Sequence, residues 1–332
     1  MSLLREIKYI RPIGFINGTI AQSMSENGLA VLLAGGPTAF LYVELIFREE
    51  SGLFGKHIYA IKDLKNQNSN LSDINLSLVF DFLDNISQAK KLCLGPKLNT
   101  FTDNPIVMGV VNVTPDSFSD SDFSYNLDSA ISHAFELYSS GADIIDVGGE
   151  STRPGATPVS DEEEIKRVLP VVDKLVHAGI PVSIDTRKSI VMTKAIAAGV
   201  SLVNDVSAFT YDPKSLGVVA NSKVGIILMH MQGVPETMQT APKYDNGVLV
   251  DIFDYLSSRI TACKQIGINH DRICVDPGIG FGKNLKHNLR ILSKLSTFHS
   301  LGCPILIGTS RKRFIEHIVT KLDTEDRTGG TL

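Results

Sequence analysis

From residue 106 onward, short apolar runs rich in Val and Ile alternate with longer amphipathic stretches, and this alternation constrains the fold more than any other feature of the chain. Near-continuous apolar runs separated by helical patterns are how parallel strands joined by crossover helices read in a sequence. Strands are predicted at Ile106–Val113, Asp143–Gly149, Pro181–Thr186, Leu202–Ser207, Gly225–His230, Ile273–Gly278 and Ile305–Ser310. Helices are predicted at Asp128–Ser140, Asp161–Ala178, Lys188–Ala198, Val248–Gly267 and Leu285–Ser300. Ser160 and Glu163 have capping-box spacing, so the acidic run Asp161 to Glu164 reads as a helix start favoured by the macrodipole rather than as a metal site. Seven strand–helix units suggest a (β/α)8 barrel or an open doubly wound sheet.

A chain of 332 residues has room for a barrel-sized domain with an appendage. The texture changes near residue 100: residues 65–75 are polar and Asn-rich, and residues 94–100 read as a linker. The expected division is therefore an N-terminal extension of residues 1–100 and a domain of residues 101–332. Leu29 to Phe47 approaches membrane-span length, but Gly35-Gly36-Pro37 interrupts it, which predicts two short buried segments around a turn. A formal charge of −4, with no run of more than three Lys or Arg, leaves no electrostatic footprint for nucleic acid. Four cysteines without CxxC spacing, and an N-terminus charged where a leader would be apolar, fit a cytoplasmic protein.

In parallel α/β folds, ligands lie where the carboxyl ends of several strands converge. Polar residues stand at those ends here: Asn112, Asp146, Asp185, Asn204, Asp205, Asp276, Ser310 and Lys312. A single carboxylate in such a place is often a structural cap, but agreement across five or six strand ends points to a shared ligand. Buried among Val and Ile, each group needs a partner. Converging carboxylates with an amide and a lysine favour an NH-rich ring or a cation; a heterocycle offering both amide edges satisfies the set. Residues 114–126 form a long polar loop with aromatic residues, suited to a lid, and residues 150–158 place Arg153 where an anion or ring would meet it. The eight histidines show no zinc spacing, and no serine sits in a hydrolase elbow; His230 alone ends a predicted strand. Gly278, Gly280 and Gly282 lack a phosphate-loop pattern and fit tight turning or close backbone approach.

The ordered segments GVVNVTPDSFSD, GADIIDVGGESTRPGA, SIDTRK, NDVSA, LMHMQGVPETMQ, VDPGIGFGK and GTSRKRFI together resemble the dihydropteroate synthase family. The stretch LAGGPTAFLYVEL is similar to an extension in some bacterial members. The resemblance implies a (β/α)8 TIM barrel that joins 6-hydroxymethyl-7,8-dihydropterin pyrophosphate to p-aminobenzoate, releasing pyrophosphate. It further implies that Asp146, Thr152, Asp185, Asn204, Met229, Asp276, Phe281 and Lys312 serve the pterin, and that Phe118, Pro154 and Ser310 shape the p-aminobenzoate side. Asp116, Asp146, Arg153 and Lys312 would be catalytic, and Asn112 would help hold Mg2+. Small-molecule substrates, a homodimer, and neither membrane nor nucleic acid are expected partners. Ser121-Asp122 departs from the family's usual Gly-Gly, and the Arg-x-His of an eighth strand is not reached by Leu332, so the barrel is expected to lack that strand in this chain. Two other readings remain: a methyltetrahydrofolate-dependent methyltransferase on the same barrel, and a non-catalytic pterin-binding module.

Overall fold

The computed structural model describes residues 6–49, 51–66, 74–92, 105–114, 123–151, 157–233, 237–310 and 312–316. The chain divides into two compact units, one of Met1–Lys90, Tyr244–Ser257 and Leu289–Ile305, the other of Lys91–Lys243, Ser258–Asn288 and Leu306–Leu332.

The first unit opens with β1 (Glu6–Asn17) and α1 (Gly18–Glu26), followed by β2 (Val31–Leu32), β3 (Thr38–Arg48), β4 (Phe54–Ala60), α2 (Ile61–Asn66) and α3 (Leu76–Ser87). Its sheet is antiparallel and centred on β3, with β1 along one edge and β2 and β4 along the other. The apolar stretch 29–47 thus becomes two antiparallel strands about a turn, because Gly35 takes φ +70 and Leu33 donates back to the Thr38 carbonyl at 2.8 Å. Phe40, Val43 and Leu45 of β3 pack with Ile61, Leu64, Val79, Leu83 and Ile86. Asn75 caps α3 by accepting from the Leu78 N–H at 3.2 Å. Among the described residues no helix is long and apolar enough to cross a membrane.

The second unit carries β5 (Met108–Asn112), α4 (Phe123–Ser139), β6 (Ile144–Gly148), α5 (Asp161–His177), β7 (Val182–Asp185), α6 (Ser189–Ala198), β8 (Leu202–Asp205), α7 (Ser215–Ala220), β9 (Gly225–Met229), β10 (Ile273–Asp276) and α10 (Arg313–Glu316), while α8 (Val248–Gln265) belongs to the first unit as far as Ser257 and α9 (Leu285–Ser293) from Leu289 onward. All six strands are parallel and lie in strict chain order, β5 to β10. A doubly wound sheet reverses its strand order at a switch point; an unbroken order with a crossover after each strand is that of a (β/α)8 barrel.

Three expectations need correction. Ile305–Ser310 forms no ladder: Leu306 donates to the Val275 carbonyl at 2.8 Å, and beyond Ile305 the segment has no strand conformation. Pro304 removes a donor at its entry and Gly308 weakens it internally. The helix expected over Leu285–Ser300 stops at Ser293 and resumes as a 3-10 stretch, Leu295–Leu301. Ser160 does cap α5, accepting from the Glu163 N–H at 3.2 Å, but the Glu163 side chain takes Arg167 at 2.8 Å rather than closing the box.

Candidate active site

Side chains alternate along a strand, so every second residue faces the same way. Ile144, Leu202, Ile227 and Cys274 form one apolar cluster with Met108, which fixes the inward face of five strands. By that alternation Asn112, Asp146, Gly148, Asn204, Met229 and Asp276 share this inward face and lie toward the carboxyl ends, and Asp185 joins them through its pairing with Gly148 and Asn204. The register agrees: Asn112 pairs with Gly148, Gly148 with Asp185, and Asp185 with Asn204, giving one row across four strands. Gly148 leaves that row open, since a Cβ there would meet Asp185 Oδ2 at 3.5 Å and Asn112 Oδ1 at 3.7 Å. An apolar floor thus carries a polar rim.

The rim is rich in carboxylates and poor in donors. Asp146 is buried; its Oδ2 accepts from Asn204 Nδ2 at 3.1 Å, while Oδ1 has no hydrogen-bond partner. Burial raises the Asp146 pKa against the pull of Ser183 and Asn204. The Asp185 pKa stands well above the ordinary carboxylate value, first through burial and then through the charges of Asp146, Asp205, Glu164 and Glu150. Asp276 Oδ1 accepts from the Gly278 N–H at 2.6 Å; burial raises its pKa, opposed by that bond and by Lys312 and Lys283.

The loop after β10 depends on its glycines. A Cβ on Gly278, at φ +68, would lie 2.0 Å from the His230 carbonyl oxygen, and one on Gly282, at φ +63, would lie 2.6 Å from that of Gln232. Tight turning against the loop after β9 therefore explains the Gly-x-Gly-x-Gly run. Gly280, at φ +85, lets Lys312 pass; Lys312 Nζ donates to the Ile279 carbonyl at 2.6 Å and stands 4.3 Å from the centre of the Phe281 ring. Lys283, missed by the sequence reading, is buried beside them and donates to the carbonyls of Phe281 at 2.9 Å and His230 at 3.2 Å. It also meets His230 Nδ1 at 3.0 Å. Burial pulls the Lys283 pKa to about 7, and burial together with the Lys283 charge holds His230 well below its ordinary value.

The structure thus places Asn112, Asp146, Asp185, Asn204, Met229 and Asp276 on one inward face, with Phe281 and Lys312 in contact above β10. Ser310 is exposed. Asp116, Phe118, Thr152, Arg153, Pro154, Ser121 and Asp122 lie outside the described residues. Asp205 differs from expectation. Both its oxygens are taken, Oδ1 by the N–H and hydroxyl of Ser207 at 2.7 Å and Oδ2 by the Phe209 N–H at 2.9 Å, so it braces a turn in which Ala208 and Phe209 have positive φ. A second missed group follows β6 and β7: Glu150 binds Arg187 Nε at 2.8 Å and Lys188 Nζ at 2.8 Å, and Lys188 also reaches Glu164 at 2.7 Å. Arg187 stacks on Tyr211 at 4.2 Å.

Among the described residues no group of three His, Cys, Asp or Glu side chains stands ready to enclose a metal ion. Asn112 Oδ1 beside the space over Gly148 does fit a hard cation that keeps most of its ligands from elsewhere.

Residues 108–332 match the family described as pterin binding enzyme. The dihydropteroate synthase of Escherichia coli K12 is 44% identical over 230 residues, covering 69% of this chain and 80% of that protein. The solved dihydropteroate synthase of Xanthomonas albilineans with 4-aminobenzoic acid superposes with a TM-score of 0.63 at 44% identity, over 69% of this chain and 81% of that one. The same enzyme in complex with 7,8-dihydropteroate gives a TM-score of 0.64 at 40% identity, over 73% and 86% of the two chains. An apolar barrel floor under a rim of carboxylates short of donors accords with these likenesses, and the chain belongs to the pterin-binding enzyme family.

Proposed function

We propose that this chain is a transferase with dihydropteroate synthase activity, condensing 6-hydroxymethyl-7,8-dihydropterin pyrophosphate with p-aminobenzoate to give 7,8-dihydropteroate and pyrophosphate. The observation that carries the reading is the rim itself: Asp146 with an oxygen unmet and Asp185 held above its ordinary pKa beside it. A pterin ring brings the N–H donors that such carboxylates lack.

In this reading Asp185, Asn204 and Asp276 accept and donate along the ring edge, Lys312 serves a ring acceptor, and Met229 and Phe281 cover its faces. Asp146 lies beneath the exocyclic methylene. The carbon–oxygen bond to pyrophosphate breaks first, with both electrons leaving on pyrophosphate. The neutral arylamine nitrogen then attacks the cationic methylene carbon and gives up one proton to solvent. Asp146 and Asp116 stabilise the positive charge as it develops, where oriented charge contributes most. Arg153 and residues 114–126 and 150–158 exclude water, with Thr152 on the pterin side and Phe118, Pro154 and Ser310 around p-aminobenzoate. Mg2+, when present beside Asn112, would neutralise the phosphate oxygens. Residues 101–332 would carry this reaction, with residues 1–100 an extension to it, in a cytoplasmic homodimer.

Incubation with both substrates tests the reading. Formation of 7,8-dihydropteroate with equimolar pyrophosphate supports it; methyl transfer from methyltetrahydrofolate to a corrinoid, with no pteroate, overturns it.

A further inference from the structure

The first unit holds a cavity of about 280 Å3 that the reaction above does not use. Its wall includes four cationic side chains, Arg11, Lys56, Arg290 and Lys294, against one carboxylate, Glu44. Arg11 holds Glu44 by its Oε2, at 2.9 Å through Nε and 2.8 Å through Nη2. Lys56 and Lys294 both stand 3.7 Å from it, beyond the reach of a charge-assisted hydrogen bond. Their ammonium protons are therefore not taken up by that carboxylate.

Two further features lie at the wall of the same space. Thr297 is fully buried, lines the cavity, and its Oγ1 has no hydrogen-bond partner. A buried hydroxyl left unpaired is costly unless something enters to meet it. Gly247, Leu249 and Val250 bring the first turn of the 18-residue helix α8 to the wall, and first-turn amides have no acceptor inside their own helix. Burial lowers the pKa of Lys294; the Glu44 carboxylate opposes this, and the charges of Arg11, Arg290 and Lys56 add to it. The volume suits a small ligand rather than a drug-sized one.

We propose that this cavity is a binding site for a small multivalent oxyanion carrying a phosphoryl group, held by Lys294, Arg290, Lys56, the Thr297 hydroxyl and the N-terminus of α8. The site is independent of the catalytic reading and survives its failure.

Calorimetric titration of the full chain at low salt with inorganic phosphate, and separately with magnesium-free pyrophosphate, tests the proposal. The double variant Arg290→Gln/Lys294→Gln should weaken a binding component on the order of tenfold or more, and Thr297→Val, which removes only the hydroxyl, about threefold. Binding should fall as salt is raised. Binding of phosphate alone would identify a free anion as sufficient; binding confined to pyrophosphate would mean that the ligand spans the cavity. Turnover should be unchanged in either variant. Equal affinities for both anions in parent and variants, each folded by its melting curve, would overturn the proposal, as would equal binding of chloride.

Discussion

A carboxylate buried beside another carboxylate is unfavourable until a ligand donates to it, and Asp146 and Asp185 form such a pair. Their folded pKa values lie above the unfolded ones, so the native state holds extra protons above the ordinary carboxylate range. Stability therefore falls as pH rises through that window. Asp185→Asn should raise stability at neutral pH by roughly 0.5–2 kcal/mol while weakening pterin binding by roughly 1.5–3 kcal/mol. Melting curves with calorimetry check both; an unchanged pterin affinity would contradict the assignment. Because N–H donors favour the ionised acids, parent affinity for the pterin should also increase as pH rises from acid toward neutral, with protons released on binding. Lys283 has the opposite sign. Its folded pKa, near 7, lies below the unfolded one, so the stability of the neutral-amine form is complete above the ordinary lysine range and is lost as pH falls to about 7. The stability difference between Lys283→Met and parent, followed by denaturant unfolding, should shift in the parent's favour from pH 7 to 10. Asp146 and Asp185 were legible because each breaks an apolar run. Lys283, Arg187 and Lys188 were not, since a cation outside a strand shows no periodicity and only its tertiary partners bury it.

At the scale of elements, the turns at the strand ends set the rim. Gly278→Ala puts a Cβ against the His230 carbonyl at a φ of +68, and strain of roughly 1–3 kcal/mol is expected from the backbone alone. Asp205→Ala removes the acceptors that hold Ala208 and Phe209 at positive φ, and should lower the melting temperature and loosen the loop after β8, as read by hydrogen exchange. Strands β6 to β10 were legible because each is a short apolar run buried almost throughout, and β5 because Val110 and Val111 continue the same pattern, although Val110 is exposed. Ile305–Ser310 has a similar apolar start, yet composition cannot tell whether a neighbour is there to pair with it, and the bond from Leu306 to the Val275 carbonyl is not continued into a ladder. The opening strand β1 and edge strand β4 carried no comparable signal: β4 is half-exposed over most of its length, and β1 is broken by a register shift between Ile7 and Tyr9.

For the molecule as a whole, the fold class was legible because crossover after crossover repeats one period, whereas membership of a compact unit was not a property of contiguous sequence. The unit holding residues 1–90 also takes in Tyr244–Ser257 and Leu289–Ile305, and its cationic cavity needs side chains from all three segments. No local pattern announces such a meeting. The rim of the other unit, by contrast, is built from the ends of successive strands and so follows once the strands are known. The most direct measurement is a crystal structure of this chain with a 7,8-dihydropterin bound. The ring should lie over the apolar floor with its nitrogens about 2.7–3.1 Å from the carboxylates of Asp185 and Asp276 and with Lys312 at its edge. A ring bound elsewhere, with both carboxylates left facing solvent, would contradict the assignment of the rim.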